Sequence, residues 1–85
     1  MRVLIPTPLH DYTHAPRVEA DGATLGAVFD DLERQFPGIR FRMVDEQGRI
    51  RRHMRCFIGA QQVFDLERRL DRVEEVLLVQ ALSGG

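Results

Sequence analysis

Hydrophobic and polar positions fall into short blocks along this chain, and each block has a readable period. Val3, Leu4 and Ile5 make an aliphatic run from Arg2 to Ile5, ended by Pro6, which cannot donate to a sheet ladder. That predicts a first strand. Arg17-Val18-Glu19-Ala20 alternates polar with apolar like a half-buried strand, and Asp21-Gly22 then supplies a turn. The two segments predict a hairpin, with a loop from Thr7 to Pro16 between them.

From Leu25 the period changes. Leu25, Val28, Phe29, Leu32 and Phe36 recur at helical spacing, with Asp30, Asp31, Glu33 and Arg34 on the polar side. Thr24 is placed to cap the first turn through its hydroxyl, and Pro37-Gly38 stops the helix. The periodicity then fades between Ile39 and Arg55, where Asp45-Glu46-Gln47-Gly48 predicts a turn inside an irregular connection. Arg55 to Ile58 reads as a strand, Gly59-Ala60 with Gln61-Gln62 as the turn into a short strand through Val63 and Phe64, and Asp65 to Leu70 as one helical turn. Glu75 to Ala81 is a strongly apolar last strand, and Leu82-Ser83-Gly84-Gly85 a tail with little reason to order.

This succession predicts an α+β fold in which a mixed sheet of about four or five strands packs on one main helix. The first and last strands would lie side by side at its centre, running parallel through a right-handed crossover. The domain is expected over residues 1–81, with 82–85 as a flexible tail. A length of 85 residues and 44% hydrophobic content suit one core.

Charge and cysteine content narrow the function. With 12 basic and 13 acidic residues the net charge is -1, against the basic footprint of a polyanion binder, so nucleic acid is not an expected partner. No apolar run approaches a membrane span, the apolar stretch before Pro6 is too short for a secretory signal, and the single Cys56 cannot form an internal disulfide. A cytoplasmic location is expected. Every basic side chain is arginine, so no lysine amine is present for isopeptide attachment.

The candidate chemistry lies in Gly84-Gly85. Two glycines leave the backbone thin and freely rotatable, able to thread into a narrow active site with an unhindered terminal carboxylate. That carboxylate is ionised at neutral pH and is a poor electrophile, so transfer chemistry requires activation, for example as an acyl-adenylate.

Val3-Leu4-Ile5-Pro6, Ala23-Thr24-Leu25-Gly26-Ala27-Val28, Phe36-Pro37-Gly38-Ile39 and the ending from Glu75 through Gly85 together resemble the ubiquitin-like sulfur carriers of the MoaD/ThiS type. The run Asp45-Glu46-Gln47-Gly48-Arg49-Ile50-Arg51-Arg52-His53 looks most like the branch that includes carriers for cysteine biosynthesis. The resemblance implies a β-grasp fold and a carrier that catalyses nothing itself. It further implies that an E1-like adenylyltransferase/sulfurtransferase adenylates Gly85 with ATP, that sulfur displaces AMP, and that the thiocarboxylate donates sulfide to a synthase of the cysteine, thiamin or molybdopterin pathway. No permanent cofactor is implied, only transient AMP and sulfide on Gly85. Two turns depart from the family pattern: Gly59-Ala60 stands where Asn-Gly is usual, and Val73-Glu74 where Gly-Asp commonly precedes the last strand.

The last strand is apolar on both faces, so one face should remain exposed in a two-layer domain. Leu4, Phe57, Leu77 and Val79, with Ala81, are the expected partner interface. His10, His14 and His53 are too scattered to suggest a metal site, and Cys56 shares the inward parity of Ile58 as a small hydrophobe. Arg49, Arg51, Arg52 and Arg55 could dock an acidic partner or simply be solvated. Two other functions fit the same residues: the small subunit of molybdopterin synthase, and a noncovalent β-grasp interaction module with an incidental diglycine.

Overall fold

In the computed structural model, which describes residues 1–81, strand β1 (Arg2–Leu4) pairs antiparallel with β2 (Arg17–Glu19), forming the expected hairpin. Its connection is not the plain loop expected. Thr7–Leu9 forms a 3-10 turn with Pro8 near its start, where a missing N–H costs nothing, and α1 (His10–Thr13) follows. Leu9 and Thr13 are buried, and their burial gives these turns a reason to persist.

The main helix α2 (Leu25–Gln35) begins where its sequence predicts. The Thr24 hydroxyl accepts from the Ala27 N–H at 3.1 Å. Two further free amides of the first turn are also satisfied: Leu25 N–H donates to the Arg68 carbonyl and Gly26 N–H to the Leu66 carbonyl. A helix start needs these partners, and it explains why the segment from Asp65 to Leu70 is not the helical turn expected. Its carbonyls face α2 instead, through a turn at Leu66-Glu67 held by Asp65 and a bridge between Thr24 and Arg69.

A second departure is α3 (Ile39–Met43), inside the stretch expected to be irregular. Glu33 reaches forward from α2, its carboxylate oxygens accepting from Gly38 N–H at 2.9 Å and Arg40 N–H at 3.0 Å. These two bonds cap α3, while Ile39 and Met43 bury completely. The predicted turn at residues 45–48 is present and is closed by a bridge between Val44 and Ile50.

Strand β3 (Met54–Ile58) runs antiparallel to both β4 (Gln61–Val63) and β5 (Glu75–Gln80). The β3–β4 connection is the two-residue turn Gly59-Ala60, with Gly59 at φ +61, a left-handed value that glycine adopts without strain. The substituted turn therefore still closes a hairpin. β5 pairs parallel with β1, giving the order β2-β1-β5-β3-β4 with the first and last strands adjacent at the centre.

One face of this sheet carries Val3, Met54, Cys56, Val63, Val76 and Leu78, all buried against Leu25, Val28, Phe29 and Leu32 of α2 and against Ile39 and Met43. The architecture is a β-grasp, and the opposite face of the sheet is left without a second layer among the described residues.

Candidate functional site

Cross-strand register decides which side chains meet on the uncovered face. Leu4 of β1 is in register with Leu77 of β5, and Leu77 in turn with Phe57 of β3. These three strands are adjacent, so Leu4, Leu77 and Phe57 form one apolar row. The row continues outward to Arg17 on β2 and Gln62 on β4. Val79 lies one step along β5 beside Arg55. Leu77 is 36% exposed, while Leu4, Phe57 and Val79 are half-buried by one another. Period-two alternation puts their neighbours Val3, Cys56, Val76 and Leu78 into the core.

Around the row the surface is charged. Arg2 and Glu75, in register on β1 and β5, make an ion pair at 3.0 Å. Beside Phe57 and Leu77, a recess of about 410 Å³ is walled by Ile58 and Val73 and edged by Arg72, Glu74 and Glu75. A partner can therefore meet an apolar strip, a shallow recess and a charged margin on one face.

The end of β5 sets where the tail begins. The half-buried Ala81 donates its N–H to the His53 carbonyl at 2.7 Å, which ties the root of the tail to the start of β3. Leu82, Ser83, Gly84 and Gly85, the expected tail and modification site, lie outside the described residues. Next to this root, a polar hollow of about 300 Å³ is lined by Asp11, Tyr12, Arg42, His53 and Gln80. The Arg42 guanidinium donates to the Tyr12 hydroxyl at 2.8 Å there, an interaction that holds the Arg42 charge above its ordinary range.

The remaining candidate chemistry is scattered. His10 bonds through Nε2 to the Ile5 carbonyl at 2.9 Å, a structural contact, and among the described residues no group of three His, Cys, Asp or Glu could hold a metal ion. Cys56 is buried and its thiol is pushed up to about 12 by desolvation, so it stays protonated and unreactive at neutral pH. Sequence reasoning left Phe64 in a strand; it lies just past β4 and is 75% exposed. Its signal was its parity with Gln62, which places it away from the core.

No model of a known protein family matches the chain. Among curated proteins it is 33% identical to the sulfur carrier protein CysO of Mycobacterium tuberculosis, over 98% of this chain and 96% of that protein. The same figures hold for CysO of Mycobacterium bovis. Among solved structures it superposes on a chain of the Amycolatopsis orientalis BexX/CysO complex with a TM-score of 0.88 and 31% identity, covering 99% of this chain and 98% of that one. SAMP1 from Haloferax volcanii, at 24% identity and a TM-score of 0.78 over 100% of this chain and 98% of that one, shares the fold. No helix among the described residues is long and apolar enough to cross a membrane.

Proposed function

The chain belongs to the ubiquitin-like sulfur-carrier family of CysO, of the MoaD/ThiS type, and from that premise we propose that it carries sulfur on the carboxylate of Gly85 for a biosynthetic acceptor. The observation that carries this reading is the likeness to CysO along nearly the whole chain, in a sequence whose last two residues are Gly84 and Gly85.

The chemistry needs an activating partner, because an ionised carboxylate repels nucleophiles. A Gly85 carboxylate oxygen attacks the α-phosphorus of ATP, pyrophosphate leaves, and an acyl-adenylate forms. A sulfide-level nucleophile then attacks the carbonyl carbon and AMP departs, leaving a thiocarboxylate. Transfer of that sulfur and a final hydrolysis return the carboxylate. In each step the carrier is a co-substrate, and the catalytic groups belong to an E1-like adenylating enzyme and to the accepting synthase.

Docking uses the outer face of the sheet. Leu4, Leu77, Phe57 and Val79 engage the partner enzyme, with Ala81 at the root, while Leu82, Ser83 and Gly84 extend to its active site. Burying such a strip is favourable at roughly 25 cal/mol per Å² of apolar surface, before the cost of association is subtracted. The acceptor closest to the reading is a cysteine precursor, since the relatives are CysO proteins. A small subunit of molybdopterin synthase would instead hold its larger partner through purification. The setting we propose is the cytoplasm, where ATP is at hand.

The test is the intact mass after incubation with the host's adenylating enzyme, ATP and a sulfur donor. A gain equal to replacing one oxygen by sulfur, absent when Gly85 is deleted, is expected. No gain, under conditions that modify a control carrier, would move the protein to the class of noncovalent interaction modules.

A further inference from the structure

A second surface adjoins the apolar row at the β4 edge, where Arg55 stands in register with Val79 and Gln62 with Phe57. The segment from Arg49 to Arg55 folds alongside β4 and leaves a groove of about 310 Å³ between them. Ile50, Met54 and Val63 contribute to its lining, and the exposed ring of Phe64 adds to one side. The charged part of the lining is all of one sign. Arg49, Arg52 and Arg55 line the groove, are exposed, and make no ion pair with a carboxylate among the described residues. From Arg49 through Phe64 the chain has no Asp or Glu at all.

Asp45 acts through its charge on Arg49 and Arg51 but makes no ion pair with either among the described residues. Asp45 spends one carboxylate oxygen on the backbone N–H groups of Gln47 and Arg49, at 2.9 Å each. Arg51 is engaged elsewhere: its Nε donates to the Phe41 carbonyl at 2.7 Å, and its guanidinium lies 4.6 Å from the Phe41 ring centroid. In a protein with a net charge of -1, three unpaired guanidinium groups around apolar side chains are a local concentration of positive potential. Arginine beside an exposed aromatic ring is also a composition enriched at protein interfaces.

We propose that this groove docks an acidic segment of a partner protein, one in which Asp or Glu residues flank a large apolar side chain. The carboxylates meet Arg49, Arg52 and Arg55, and the apolar side chain lies against Ile50 and Phe64. A nucleic acid fits less well, because its bases need a series of aromatic platforms and this groove offers the ring of Phe64 alone. The inference goes beyond the tail chemistry and assumes nothing about Gly85.

The test is an NMR titration of the isotope-labelled full chain. Its probes are a capped octapeptide of Asp and Glu around a central Leu-Phe pair, the same peptide with Asn and Gln in place of the acids, and a single-stranded oligothymidylate. The acidic peptide should give saturable shifts at Arg49, Arg52, Arg55 and Phe64 and leave Leu4 and Leu77 unmoved. Its affinity should fall about tenfold or more in the double variant R52E/R55E, and fall with added salt. F64A should weaken it without changing the salt slope. All three positions are exposed, so unchanged dispersion of the remaining amide signals checks that the variants fold. The proposal is overturned if the acidic peptide gives no saturable shift, if the neutral peptide binds equally, or if the shifts map to the Leu4–Leu77 row. Tighter binding of the oligonucleotide than of the peptide would reassign the surface to nucleic acid.

Discussion

Leu77 and Leu78 are sequence neighbours on the central strand with opposite fates: Leu77 is 36% exposed on the outer face beside Leu4, and Leu78 is 2% exposed in the core beside Cys56. The alternation of a single strand thus puts one leucine on the open face and the next in the core.

Substituting them should separate the two properties. L77E is expected to cost no more than about 1 kcal/mol of stability, yet to lower the efficiency of sulfur loading by about tenfold or more, as removal of an interface anchor does. L78A should cost about 2–5 kcal/mol through lost burial and a residual cavity. Urea unfolding and loading kinetics on both variants check the division. Equal loading by wild type and L77E would remove the outer face from the docking reading.

Gly22 has no room for a side chain. A methyl group there would lie 2.6 Å from the Val28 backbone nitrogen and 2.7 Å from the Ala27 backbone carbon, so helix or turn must shift. G22A should destabilise by about 1–3 kcal/mol, the usual cost of forced overpacking, and lower the melting temperature accordingly. Calorimetry measures it. An unchanged melting temperature would mean that the β2–α2 turn yields freely.

The Thr24 cap is one of several bonds at the start of α2, alongside those from the Arg68 and Leu66 carbonyls. T24A removes the acceptor of the Ala27 N–H and should cost about 1 kcal/mol. T24S should restore most of it, because the hydroxyl is retained.

Acid should weaken the fold. Asp31 is held below its ordinary range chiefly by the Asp21 N–H and then by Arg34, Glu33 by the N–H groups of Gly38 and Arg40, and Asp45 by the N–H groups of Arg49 and Gln47. A carboxylate whose folded pKa is depressed adds stability that is present above its unfolded value, about 3.9 for Asp and 4.3 for Glu, and is lost as pH falls through the folded value. The Met1 ammonium has the opposite sign. Raised chiefly by its hydrogen bond to Asp21, it adds stability below its ordinary range that disappears as pH climbs through the raised value. Urea midpoints should therefore decline on both sides of neutrality. In D31N/E33Q/D45N the acid slope should flatten and the alkaline slope persist.

Cys56 should be inert while the protein is folded. With its thiol buried and pushed up to about 12, alkylation at mildly alkaline pH should run slower than that of a free thiol by more than about a hundredfold, and recover in urea. Rapid labelling of the native protein would contradict its place beside Leu78.

The elements that sequence patterns predicted correctly are those whose periodicity states their burial: β1, β2, α2 and the run of β5 each carry their inward face as alternation or as helical spacing. Thr24 announced its helix because a cap is a local device. Leu4, Phe57, Leu77 and Val79 could be placed on one face by parity alone. Segments stabilised from elsewhere were not legible. Residues 39–43 carry no amphipathic signal long enough to read, and they are helical because Glu33, on a different helix, caps them. Residues 65–70 have a helix-compatible sequence, but their carbonyls are drawn to the open amides of α2.

By itself, then, the sequence determined the fold class, the main helix with its cap and the last strand's two apolar faces, because each rests on local pattern or on residue identity. The tertiary structure decided which exposed groups meet. Leu4 and Leu77 are 73 positions apart and become neighbours through strand register, and Arg55 reaches Phe64's groove through the folding of residues 49–55 against β4. Contacts of that kind depend on chain return and sheet order, which no single segment encodes.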